Sequence, residues 1–152
     1  MAHHDHYVDG EYYPSVTTIL AGRPKPWLDK WREKWGVLAD RKLQCANAVG
    51  TVFHWYAEHL AQGDEMLEPG NRRLLGMVRR FDEWVAASGV KVKEVELHVV
   101  SKEHKYAGTF DAVGTLPGSR ALVLFDWKTS AGIYPDMELQ LAAYAQAYKE
   151  QT

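Results

Sequence analysis

The 152-residue sequence predicts a single mixed α/β (α+β) domain. Three observations carry that reading. Hydrophobic periodicity is helical over residues 14–88 and turns to strand-like patterning over 89–127. Turn residues, Ser88-Gly89 and Pro117-Gly118-Ser119, punctuate the change and the sheet itself. A last helical segment, 135–149, then closes the chain with Pro135 in its first turn. The expectation is a helical part over 14–88, and a sheet of at least three strands with a flanking helix over 89–150.

Residues 1–13 are polar and aromatic with little periodicity and read as a flexible N-terminus. His3, His4 and His6 with Asp5 offer metal donors there, but a loose terminus is the simpler reading. Ser15 is placed to cap a short helix beginning Val16-Thr17-Thr18-Ile19-Leu20, which Gly22 and Pro24 close. Trp27, Trp31 and Trp35 share one face of a helix expected over 25–43. Residues 23–42 hold seven Lys and Arg against three acids, a local +4. A solvated amphipathic helix with core tryptophans and a phosphate-contacting helix both fit that pattern. A second helix is expected over 46–62, with His54 and Glu58 on one face, and a third over 71–87. Arg72 and Arg79, like Arg73 and Arg80, form a basic flank on the third.

Composition narrows the function classes. A formal net charge of −2 gives no global basic signature, so any nucleic-acid binding rests on local patches. Arg32, Lys34, Arg72 and Arg79 are the candidates for such contacts. One cysteine, Cys45, excludes an internal disulfide and a four-cysteine metal or iron–sulfur site. No apolar run approaches the ~20 residues of a membrane span, and the N-terminus lacks a signal peptide's apolar core. The expected setting is the cytoplasm.

The chemistry gathers around Ala121–Ser130. Five consecutive apolar residues, 121–125, read as a buried strand, which the pattern extends over 120–127. Alternation sets Asp126 and Lys128 on one side and Trp127 on the other. The hairpin strand 105–116 brings a second acid, Asp111, in Gly108-Thr109-Phe110-Asp111. Two hard carboxylates suit Mg²⁺ or Mn²⁺, which polarises a phosphoryl oxygen and lowers the pKa of bound water. A lysine beside them can hold that water or neutralise charge on the phosphate. A helix-borne His54 would add a nitrogen ligand and favour Mn²⁺. Taken alone, each of these elements is commonplace.

In order, Gly50-Thr51-Val52-Phe53-His54, Gly108-Thr109-Phe110-Asp111, Asp126-Trp127-Lys128 and Gln140-Leu141-Ala142-Ala143-Tyr144 resemble the successive motifs of RecB-type nucleases. These belong to the PD-(D/E)XK superfamily, with Cas4-like and mitochondrial genome maintenance exonucleases. Tyr13–Leu20, followed by the tryptophan-rich basic helix, is similar to the entry of the last group. The resemblance covers roughly 13–148. It implies a restriction-endonuclease-like core and a metal-dependent DNA nuclease, of exonuclease type, in a bacterial or phage-infected cell. It implies His54, Asp111, Asp126 and the Trp127 carbonyl as metal ligands, Lys128 as the catalytic lysine, and Gln140 and Tyr144 as DNA- or site-positioning residues. Glu96 matches a strand glutamate of the family. Two departures stand out. The family's fourth core strand, after the Gln–Tyr helix, has no counterpart here, and an uncovered edge invites another chain or a second copy. The cysteines that hold an iron–sulfur cluster in many Cas4-like relatives are absent, so no cluster is expected. The rival reading is a catalytically silent DNA-binding or assembly module on the same scaffold. A small-phosphoester hydrolase is a weaker third, disfavoured by the basic, aromatic helices.

Overall fold

A computed structural model describes residues 6–152. His3, His4 and Asp5 lie outside the described residues. The chain runs β1 (His6–Val8), β2 (Glu11–Tyr13), α1 (Val16–Ala21), α2 (Pro26–Trp35), α3 (Ala39–Gln62), α4 (Arg72–Ser88), β3 (Lys91–Ser101), β4 (Tyr106–Thr115), β5 (Leu122–Phe125) and α5 (Pro135–Gln151). The fold is the mixed α/β arrangement expected, with an antiparallel meander in the order β3-β4-β5. The short links between the strands enforce that sense.

Of three apolar clusters among the described residues, a small one joins Tyr13 to Val100 and Ala107, and two larger ones position the site. Val16 and Leu20 of α1 and Tyr144, Ala147 and Tyr148 of α5 pack with Val99, Phe110 and Leu124 of the sheet. Phe53 and Ala57 of α3 pack with Leu74, Val78 and Phe81 of α4. Trp127 enters this second cluster, with its ring 4.9 Å from that of Phe81 and nearly perpendicular to it. One residue after Asp126 therefore ties the end of the sheet to the helical half.

Four sequence expectations are corrected. His6–Tyr13 is an ordered hairpin, not part of a flexible terminus: Asp9 and Gly10 both take positive φ (53° and 83°). An Asp-Gly pair at those positions makes a two-residue hairpin turn. Lys102 and Lys105 then reach Asp9 and Glu11. The helix expected over 25–43 breaks earlier, at Gly36 (φ 47°, ψ −129°), and a 3-10 turn over Gly36–Leu38 leads into a continuous α3 through Gln62. Only a residue without Cβ takes that backbone conformation at little cost. The strand expected over 120–127 ends at Phe125. Beyond it Trp127 donates its N–H to a carboxylate oxygen of Asp111 and not to a strand carbonyl.

The stretch 121–125, read as a buried strand, buries none of its residues: Ala121 and Leu122 are exposed and Val123, Leu124 and Phe125 half-buried, as the edge position of β5 allows. Two local signals are met. Ser15 Oγ accepts the Thr18 N–H at 3.0 Å and caps α1. Pro135 opens α5.

Candidate active site

Four separated motifs meet just beyond the end of β5, against the middle of β4. The register that pairs Ala112 with Phe125 sets Asp111 opposite Asp126. Asp111 is buried, at 8% exposure, and both of its oxygens are engaged. Oδ1 lies 2.9 Å from His54 Nδ1, and Oδ2 accepts the Trp127 N–H at 2.5 Å. This is a carboxylate–histidine arrangement, in which the acid orients the ring and leaves the other nitrogen, Nε2, for a ligand. Burial pulls the His54 pKa down, but the hydrogen bond and charge of Asp111 outweigh it and leave it raised.

The second half of the cluster is a relay of contacts. Lys128 Nζ lies 2.5 Å from Asp126 Oδ2 and donates to Gln140 Oε1 at 3.1 Å. Gln140 Nε2 donates to the Tyr144 hydroxyl at 2.9 Å. Gln140 and Tyr144 are one turn apart on α5, so the helix presents both to the same spot. Asp126 and Lys128 meet as expected, although both lie beyond the end of β5, where strand alternation no longer applies. Burial raises the Asp126 pKa even with Lys128 beside it. Burial also pushes the Tyr144 phenol up to about 12, which keeps it protonated. Tyr144 crosses Gly108 closely: a Cβ on Gly108 would sit 2.5 Å from the Tyr144 ring. The glycine of the Gly108–Asp111 motif therefore exists to admit the tyrosine of the α5 motif.

Glu96 takes a left-handed φ of 51° within β3, and the flanking pairs Val95–Ala112 and Leu97–Phe110 set it opposite Asp111. Such backbone strain in a non-glycine residue costs of order 1–3 kcal/mol and gathers at functional sites. Burial, Asp111 and Glu58 all raise the Glu96 pKa. Glu58, one turn from His54, is thus a member of the cluster that the motif reading did not assign. The His54–Glu58 spacing was the signal for it.

The donor set fits a hard divalent cation chemically. Asp111 raises the pKa of both Asp126 and Glu96, so the carboxylates repel one another and a cation would relieve them. Oxygen donors with one imidazole suit Mg²⁺ or Mn²⁺. The side chains are not already gathered into a cage. Among the described residues, the donor atoms that lie within 4.8 Å of one another belong to Glu103, His104 and Glu150, an exposed group at the β3–β4 turn and the far end of α5.

A cavity of about 320 Å³ opens beside Lys128 and Thr129, walled by Met77, Arg80, Phe81 and Trp84. Arg80 therefore shares a cavity with Lys128, although the sequence reading placed it only in the basic flank of the third helix. Of the other cations, Arg32, Lys34 and Arg72 are exposed. Arg79 is held by Glu68 through two hydrogen bonds of 2.8 and 2.9 Å. Trp27, Trp31 and Trp35 do share a face, yet α2 buries none of its residues. Trp27 stacks on Tyr134 at 4.9 Å, and Trp31 and Trp35 line a surface groove. The indole N–H of Trp127 is buried without a hydrogen-bond partner among the described residues.

No helix among the described residues is long and apolar enough to cross a membrane. Comparison with protein-family models, with curated proteins and with solved structures returned no match.

Proposed function

We propose that this chain is a divalent-metal-dependent deoxyribonuclease, of exonuclease type, built on PD-(D/E)XK lines. One observation carries the reading: motifs at 50–54, 108–111, 126–128 and 140–144 converge on a single continuous set of contacts. Residues so far apart in sequence have no local reason to meet. His54, Asp111 and Asp126, with the Trp127 carbonyl, would hold Mg²⁺ or Mn²⁺, and Glu96 and Glu58 add negative charge beside them. The bound ion would polarise the phosphoryl oxygen and lower the pKa of a water. Lys128 exchanges its contact with Asp126 for the attacking water or the developing phosphate charge, and Gln140 fixes where its ammonium sits. Tyr144, protonated throughout the working pH range, holds Gln140 in place. Asp111 keeps His54 in one orientation.

Lys128→Ala tests this reading. Single-turnover cleavage of end-labelled single- and double-stranded DNA, with Mg²⁺ and with Mn²⁺, should fall by the equivalent of ~2.7–4 kcal/mol of barrier, the scale of losing one preorganised donor. The fold should be retained by circular dichroism. Cleavage by the variant at the parent's rate would refute the assignment. A second reading, a DNA-binding module without catalysis, draws on the full engagement of both Asp111 oxygens. It requires that the parent bind DNA and cleave none.

A further inference from the structure

A second concave site lies away from the carboxylate cluster. It is a surface groove of about 590 Å³, lined by Trp31 and Trp35 of α2, Arg41, Lys42 and Cys45 of α3, and Arg73 of α4. Three cations and two indoles line it, and no acid does. That is unusual in a chain whose net charge is −2. Arg41, Lys42 and Arg73 are exposed, and Trp31 and Trp35 are half-buried, with ring centroids 6.4 Å apart. Lys42 Nζ stands 3.8 Å over the Trp35 ring. The groove spans the break at Gly36, with α2 on one side of it and α3 on the other.

From these residues we infer that the groove is a binding site for an unpaired polynucleotide strand, separate from the carboxylate cluster. Flat apolar faces next to cations match the two halves of a nucleotide, a base to stack and a phosphate to neutralise. A paired duplex hides its base faces and offers only phosphates, so the indoles select unpaired nucleotides. An apolar peptide would leave three cations without partners. Lys42 already sits on an aromatic face and exchanges that contact for a phosphate as a base takes its place. The groove lies ~14–20 Å along α3 from His54, at 1.5 Å per residue. It therefore grips the strand away from the reacting bond. The inference rests on the nuclease reading for its biological sense, but not for its test.

Cys45, the only cysteine, is exposed in the groove and serves as the probe. The alkylation rate of Cys45 by N-ethylmaleimide is measured in EDTA, where no metal-dependent cleavage occurs. It is measured alone, with a 20-nucleotide oligothymidylate, with oligouridylate of the same length, and with a blunt duplex. The oligothymidylate should slow alkylation severalfold, and the duplex should not. Trp31→Ala should weaken oligothymidylate binding, read by fluorescence anisotropy, by roughly 5- to 150-fold, the range of one lost stacking contact. Arg41→Gln, Lys42→Gln and Arg73→Gln should each reduce the slope of log affinity against log salt by ~0.7. Slowing by oligouridylate as well would extend the site to RNA and support the inference. Oligothymidylate that binds without protecting Cys45, equal protection by the duplex, or no binding at all would overturn it. Protection of Cys45 in a protein that cleaves no DNA with Mg²⁺ or Mn²⁺ would uphold the groove and refute the nuclease.

Discussion

At the scale of single residues, the His54–Asp111 pair sets the electrostatics of the site. Asp111 raises the His54 pKa against the opposing effect of burial. Asp111→Asn keeps an acceptor for the Trp127 N–H but removes the charge. The His54 pKa should then fall, as followed by NMR titration of the imidazole protons. An unchanged His54 titration would mean that Asp111 does not govern it. The linkage sign follows. A histidine raised in the folded state stabilises the fold fully below its unfolded value, near 6.5. That contribution is lost as pH rises through the folded value. Urea midpoints of parent and Asp111→Asn should therefore differ more at about pH 5.5 than at about pH 8.5. Asp126 carries the opposite burden: burial raises its pKa, so its ionised form opposes folding once pH exceeds the unfolded carboxylate value. A buried acid kept at that cost fits a site residue better than a structural one.

Among the elements, the contact between β4 and α5 is the tightest constraint on the site. Tyr144 is buried over Gly108 and beside Phe110, whose ring centroid is 6.0 Å away. Gly108→Ala drives a methyl into the Tyr144 ring. It should cost ~1–3 kcal/mol, the usual penalty of overpacking. It should also lower cleavage, because moving Tyr144 releases Gln140 and with it Lys128. Urea denaturation and single-turnover assays measure the two effects. A stability loss under ~0.5 kcal/mol would show that α5 gives way freely and does not fix the site. The break between α2 and α3 matters in the same way. Gly36, at its positive φ, divides α2, which carries Trp31 and Trp35, from α3, which carries Arg41 and Lys42.

For the whole molecule, the question is where a polyanion would lie on a weakly acidic chain. Neutralising Arg32, Lys34, Arg72 and Arg79 together should weaken DNA binding and flatten its salt dependence. Arg79 is already bridged to Glu68, so its share should be small. The slope of log affinity against log salt should fall by ~0.7–0.9 for each of the other three phosphate contacts. Anisotropy titrations at several salt concentrations measure it, and an unchanged slope would place the DNA elsewhere. The sheet poses a related question about partners. β5 is an edge strand of four residues, with Leu122 exposed at 45%. We propose that another chain or a second copy pairs with that edge, since an open ladder offers unpaired backbone groups.

Local chemistry was enough to place most elements. Periodicity, the Ser15 cap, Pro135 and the turn at 117–119 act over a few residues, and the structure follows them. Asp126 and Lys128 do meet, but beyond the end of β5, so the strand alternation that suggested it is not what brings them together. The Asp9-Gly10 hairpin was just as local and legible, but the polar, unperiodic stretch around it masked the turn signal. What only tertiary structure decided is what depends on pairing across distance. Nothing near Asp111 in sequence says that one of its oxygens takes His54 and the other the Trp127 N–H, which also ends β5 at Phe125. Glu58 and Arg80 entered the site's surroundings in the same way, through the packing of α3 and α4. The tryptophan stripe shows the limit most plainly. Spacing put three indoles on one face, but only the packing decides what that face meets: Trp27 stacks on Tyr134, and Trp31 and Trp35 are half-buried in a surface groove.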